Sequence, residues 1–396
     1  MTEDVVADFD PLDDEFARDP HKVWARLRET CPVARGARWG FWALTRYDDI
    51  VSASSRPGTF TSAQGIVVPA NPVSGRRAPL HFDPPEHARY RRPLNAMLRD
   101  ERIAEREPRI RELAVEHVQR FVDRRGGELM FEAASPYVGL VFAEFLNVPR
   151  ELADRIGAMG QRFETAQAHF DPAAAEAENQ ALYAVCREIV AERRVAPHDP
   201  ELDAASALLA TRVDGEPLDD ELVAGSLRQL LIAAHVAPTA LIGSAVLHLA
   251  RDPALQATLR EQPARLVAVV EELLRLYAPN QGFARTATHD VEIRGRTIRA
   301  GERVALVLPA ANRDPELFAE PESFRPDRDP NPHLAFGHGP HKCPGATAGR
   351  LEVRLFLEEL LARTESFEVA ADPTMLGWPV FGPELLPLSC APRAPR

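Results

Sequence analysis

The chain has 396 residues, 45% of them hydrophobic and 27% charged, with 59 acidic against 47 basic side chains and a formal net charge of -12. That is ample material for a large buried core, while the acidic balance excludes a general nucleic-acid binder, which would normally be basic. Four cysteines, at 31, 186, 343 and 390, show no disulfide-like spacing and fit a reducing compartment. The first ten residues are acidic and lack an apolar leader run, and no later apolar stretch reads as long enough to span a bilayer. The expectation is a cytoplasmic, unanchored protein. No linker, repeat or composition shift marks a boundary, so one domain over residues 1–396 is the simplest organisation.

In chain order, Pro20 to Thr30 place Val23, Trp24 and Leu27 on one helical face, Phe41 to Arg46 read as a strand, and Tyr47 to Ala53 as a second helix. From Gly58 to Pro85 the periodicity vanishes and Gly, Pro, Ser and Asn accumulate, predicting a long loop of the kind that often carries function. His87 and Arg91 follow, four apart on one helical face and able to grip an anion together. Helices are expected at 110–122, 137–146, 150–165, 173–194 and 203–211, with a break at 167–172. Asp219 or Asp220 caps a long apolar helix running to Ala250, which Pro238 should kink. In the next helix Glu272 and Arg275, three apart amid apolar residues, imply a buried pair that needs a third partner. Val291 to Ile298 alternate around Arg294-Gly295 as a hairpin, and Val304 to Leu308 form a buried strand.

The most informative stretch lies near the end: Phe336-Gly337-His338-Gly339-Pro340-His341-Lys342-Cys343-Pro344-Gly345, then an apolar helical run from Leu351 to Leu361. Glycines at 337, 339 and 345 let backbone turn sharply and lie flat against a planar ligand. Pro344 suits the first position of a helix, so Cys343 is expected at a helix N-terminus, where unpaired N–H groups and nearby His341, Lys342 and Arg350 lower a thiol's pKa. No second cysteine or histidine stands at zinc spacing, whereas a single thiolate suffices for a haem iron held otherwise by its porphyrin.

This glycine-rich stretch, with Phe336, Gly337, Gly339, His341, Cys343 and Gly345 in order, resembles the haem-binding signature of the cytochrome P450 family, soluble bacterial type. The resemblance spans the whole chain. It implies a mostly α fold with a small β region, a triangular helical prism whose long central helix crosses a haem b. Cys343 becomes the axial iron ligand, with Phe336, Gly337 and Gly345 against the cofactor and His87, Arg91, Arg285 and His341 on its propionates. Arg328 joins Glu272 and Arg275 in a structural network behind the haem. Substrate-pocket candidates are Ile66 to Pro72, Phe163, His169, Phe170, Gln281, Phe283, Trp378 and Val380. The implied reaction is insertion of one oxygen atom from dioxygen into a small or medium organic molecule, as in secondary metabolism. Electrons would come from a ferredoxin and its reductase, docking on Arg89, Arg92, Arg99 and Lys342.

One segment departs from the family pattern. Across Ala234-His235-Val236-Ala237-Pro238-Thr239, the usual glycine is Ala234, the usual acid Val236 and the usual threonine Ala237. Cleaving the O–O bond of dioxygen consumes two protons, which Val236 and Ala237 neither donate nor orient. Thr239, His235, or water with a substrate group are the replacements in sequence. Peroxide as oxidant is the alternative, although relatives of that kind carry an arginine where this chain has Ala237. Two other classes stay open: a haem-thiolate enzyme that couples or rearranges its substrate without oxygen transfer, and a haem sensor or carrier without chemistry.

Overall fold

The computed structural model describes residues 8–11, 13–68 and 74–393. Its organising element is the 31-residue helix Asp220–Ala250, about 46 Å long at 1.5 Å per residue. Asp219 caps it by accepting from the backbone N–H groups of Glu221 and Leu222. The sequence that follows is apolar all round, as a helix enclosed by others must be. It packs on the helices Ser135–Leu146, Arg150–Ala168, Pro172–Val195 and Ala346–Arg363. By length and composition this helix is apolar enough to cross a membrane, which corrects the expectation that no such run exists; 72% of its most apolar stretch is buried inside the protein. It continues helically through Pro238. Proline has no N–H, so the Ala234 carbonyl lacks its usual helical donor there.

The β structure is small and lies to one side. A five-stranded sheet runs in the order Val33–Gly36, Phe41–Leu44, Arg303–Leu306, Phe283–Ala287, Phe60–Thr61. The central strand pairs parallel with Phe41–Leu44 and antiparallel with Phe283–Ala287, so Val304 stands opposite both Trp42 and Arg285. Buried on both faces, it reads as the apolar run Val304-Ala305-Leu306. The hairpin at 291–298 forms as its alternation predicts, and its turn residues Arg294 and Gly295 both take positive φ.

The helices at 150–168 and 172–195 are separated where Asp171 caps Pro172 by accepting from the Ala174 N–H. The early segments also match: Pro20–Thr30 buries Val23, Trp24 and Leu27, and Tyr47–Ser54 is helical. Where the expected cysteine-proximal helix began at Pro344, the observed one begins at Ala346 with Gly345 as cap, leaving Cys343 just outside the first turn. All four cysteines are free thiols.

Candidate active site

Cys343 sits on a loop shaped by two left-handed glycines. Gly337 and Gly339 have φ of +70° and +71°, and a methyl group on Gly339 would come within 2.4 Å of the Ser54 carbonyl oxygen. Only glycine satisfies both conditions there. The Cys343 N–H donates to the Phe336 carbonyl (2.8 Å), closing the loop. The residue is accessible to solvent, yet burial is the largest influence on its thiol and pushes the pKa up, against the Gly345 N–H and the Arg91 and Arg350 guanidiniums that pull it down. The sulfur is thus both reachable by solvent and surrounded by protein. The expected lowering by a helix terminus is therefore outweighed in the free thiol by desolvation.

Basic groups gather around the cysteine loop. The His87 and His341 rings lie 4.4 Å apart. His341 Nε2 is 3.1 Å from the Ser62 hydroxyl, and burial, then Arg285 and His87, push its pKa down to about 3. Burial holds Arg285 at about 10, its one recorded bond running to the Ala284 carbonyl. Arg91 donates to Asn95 (2.7 Å) and to the Lys342 carbonyl, fastening the helix Glu86–Met97 to the cysteine loop. Buried His87 Nε2 has no partner among the described residues. Asp83, the acid among them, is taken up by Thr61 and Ser62. Bases that depress one another's charge call for an anion. A flat ligand carrying two carboxylates and accepting one sulfur fits this donor set.

On the central helix, the face at Leu230, Ala233, Ala234, Ala237 and Pro238 is incompletely covered, whereas His235, Val236, Thr239 and Ala240 are buried. Ala233 is exposed and was not singled out in the sequence. His235 points the other way: its ring lies against Gly139, Gly157 and Gly160 of the two neighbouring helices, with Nε2 3.1 Å from the Ser135 hydroxyl. Burial brings its pKa down to about 4. Thr239 donates its hydroxyl proton to the His235 carbonyl (2.7 Å). Val236 packs with Ala240 and Val380.

Of the remaining pocket candidates, Ile66, Val67 and Phe283 gather beside one sheet edge: the Ala284 N–H donates to the Ile66 carbonyl, and Arg303 to that of Val67. Residues 69–72 lie outside the described residues. Gln281 and Trp378 belong to a core cluster behind them. Gln281 accepts from the Trp24 indole (3.1 Å), and Trp378 donates to the Val68 carbonyl while touching Phe16, Trp24 and Phe41. Phe163 is buried beneath Arg228, Phe170 stacks on Trp39, and His169 is exposed.

Behind the loop, Glu272 and Arg275 are fully buried and joined by two hydrogen bonds of 2.9 and 2.7 Å. The other Arg275 N–H groups reach the carbonyls of Asn312, Pro321 and Ser323, so all five donors are used. Glu272 also accepts from the Arg325 N–H and Asn331, with Arg328 Nε 3.4 Å away. Its neighbour Glu271, which sequence reasoning passed over, binds Arg350 and His333 on either side of the cysteine loop. Burial opposes that carboxylate's charge, but these partners hold its pKa at about 2. A second overlooked acid, Glu164, lines a cavity of about 30 Å³ with Thr239, Gln161 and Glu384. Burial, with Glu384, raises its pKa to about 8.

A family model described as Cytochrome P450 matches residues 127–383. Cytochrome P450 107B1 of Saccharopolyspora erythraea is 33% identical over 398 residues, covering 96% of each chain. Among solved structures, cytochrome P450 CYP109Q5 from Chondromyces apiculatus superposes with a TM-score of 0.86 at 32% identity, over 98% of this chain and 100% of that one. A mutant of P450 EryK in complex with erythromycin B superposes at 0.85 and 30%, over 96% and 99%.

Two outcomes test this construction. Arg275→Met strands the Glu272 carboxylate and should cost about 3–5 kcal/mol in denaturant unfolding, whereas Glu272→Leu with Arg275→Met should recover most of it. Glu164 is protonated in the folded chain up to about pH 8 but ionises near 4.5 when unfolded. Its contribution is thus present below pH 4.5 and lost as pH rises through 8. Thermal melts should show the wild type losing stability relative to Glu164→Gln over that window; parallel curves would contradict the assignment.

Proposed function

The chain belongs to the cytochrome P450 family, haem b-dependent monooxygenases, and on that premise we propose that it inserts one oxygen atom of dioxygen into a small or medium organic substrate. The observation that carries this reading is the Cys343 thiol on its glycine-shaped loop, with Arg91, Arg285, His87 and His341 gathered around that loop. When bound there, haem would supply the redox chemistry, its iron taking the Cys343 sulfur and its propionates meeting the basic ring. Arg91 and the Gly345 N–H favour the thiolate over the thiol. Glu271 and Glu272 hold the loop from behind, keeping that sulfur in place.

The alanine face of the central helix offers substrate an apolar wall. It donates no proton, and His235 and Thr239 are committed to Ser135 and to a backbone carbonyl. Water entering beside the Ala234 carbonyl, which Pro238 deprives of its usual helical donor, is the proton source we favour. The same absence of acid and threonine supports a second reading, in which peroxide is the oxidant or the substrate is coupled or rearranged without oxygen transfer.

Electrons would arrive at the cysteine face. A groove of about 310 Å³ lined by Tyr47, His333, Phe336, Lys342 and Arg350 opens there. Arg92 and Lys342 are exposed beside it, whereas Arg89 and Arg99 are engaged by Asp214 and Glu201. An acidic ferredoxin suits this face.

Reduced under carbon monoxide, the wild type should show the long-wavelength Soret band of a thiolate-ligated haem and Cys343→Ala should lose it; a band retained in the variant excludes this ligand. With labelled dioxygen, label in the product supports monooxygenation, label only from hydrogen peroxide supports the second oxidant, and unlabelled turnover supports coupling or rearrangement. In the reconstituted chain, Arg92→Glu with Lys342→Glu should raise the half-saturating ferredoxin concentration about tenfold at low salt, an effect that shrinks as salt is added. No change would place docking elsewhere.

A further inference from the structure

Among the described residues, most buried cations have hydrogen-bond partners and the cluster around Arg228 lacks them. Arg275 meets Glu272, Arg193 meets Asp203, and Arg28 and Arg313 reach backbone carbonyls. Arg228, on the central helix six residues before Ala234, is 1% exposed, and its Nε and Nη2 are buried with no hydrogen-bond partner. Its guanidinium lies 4.5 Å from the centre of the Phe163 ring. Arg77 and His81, 7% and 8% exposed, also bury unpartnered nitrogens, Nε and Nε2 respectively. The Tyr183 hydroxyl is buried without a partner as well. These groups feel one another: after burial, Arg77 and Arg228 are the main forces lowering the His81 pKa, and Arg77 lowers that of Arg228. The acid nearest in effect, Glu176, is already bound by Ser74, Asn179 and Gln180.

Isolated buried charges are among the costliest features a fold can carry. Two on facing segments, with a histidine and a phenol, make a cradle for negative charge. The free Arg228 nitrogens are the adjacent Nε–Nη2 edge, the same edge with which Arg275 grips both oxygens of Glu272 in this structure. That edge matches a carboxylate bidentately. The aromatic surroundings, Phe163 and Phe82, suit the hydrocarbon part of an amphipathic acid. Arg228 lies seven residues before His235, so the two share a helix face turned toward the helix Arg150–Ala168, and the cluster is a site apart from the alanine face.

We propose that Arg228, Arg77 and His81 form a buried site for the carboxylate of an amphipathic organic acid. This adds a ligand site to the chain and stands apart from the oxygenase reading. The test titrates the haem-loaded full chain by calorimetry with hexanoate, dodecanoate and hexadecanoate, with their methyl esters, and with inorganic sulfate. At least one acid should bind about tenfold more tightly than its ester, and Arg228→Met and Arg77→Met should each erase that preference while keeping the carbon monoxide spectrum. Equal binding of acid and ester, no binding of any acid, or a preference that survives both substitutions overturns the proposal. Binding of sulfate alone also overturns it, marking a site for free inorganic anions. An acid preference in a protein that lacks the thiolate spectrum would instead keep the anion site and sink the oxygenase reading, so the two fail separately.

Discussion

The structure depends on a charge pair held entirely out of water. Glu272 and Arg275 bear opposite charges at zero exposure, which is tolerable only because every guanidinium N–H and both carboxylate oxygens are bonded. The bonds are spent on backbone. Arg275 fixes the irregular segment between Asn312 and Ser323, and Glu272 fixes Arg325 and Asn331 just ahead of the cysteine loop. A segment without regular secondary structure thereby gains the acceptors and donors it cannot supply itself. Glu271 extends the arrangement onto the loop proper through His333 and Arg350, and Arg350 lies over the Phe336 ring at 4.4 Å.

Charge elsewhere follows a consistent division. The chain is acidic overall, yet its interior holds two concentrations of basic groups without matching acids. One, at His87, Arg91, Arg285 and His341, gathers around the cysteine loop and suits a cofactor with two carboxylates. The other joins Arg228 of the central helix to Arg77 and His81 of the segment before the helix Glu86–Met97. Most surface arginines, by contrast, sit in ordinary exposed pairs such as Arg187 with Glu221 or Arg162 with Glu178, which are worth little individually. The energetic asymmetry between these groups is what makes the interior ones informative.

Much of this was legible in the sequence because it is local. The helix start at Asp219, the break at 167–172, the Arg294-Gly295 turn, the glycine-rich loop and the i,i+3 spacing of Glu272 and Arg275 are all short-range signals. What escaped depends on partners far along the chain. Trp378 reads as a pocket residue until Trp24, Phe16 and Phe41 are brought around it, and Gln281 until its side chain meets an indole 257 residues away. Which way His235 faces is decided by Gly157 and Gly160 on another helix, whose missing side chains leave room for its ring. The Cys343 thiol illustrates a competition of magnitudes: the local sequence supplies the lowering influences, and only the fold reveals how strongly burial opposes them.

Adjacent glutamates on a single helical turn brace both the segment leading to Cys343 and the loop that carries it. Their fates are therefore joined. A fluctuation that melts the turn around Glu271 and Glu272 releases Arg275, Arg325, Asn331, His333 and Arg350 together, and with them the geometry at the sulfur. Residues 271 to 350 thus contain a unit that opens as a whole, so amide hydrogen exchange across it would follow one opening equilibrium rather than a gradient of separate ones. Rigidity in this part of the chain is thereby held by two carboxylates rather than by regular secondary structure.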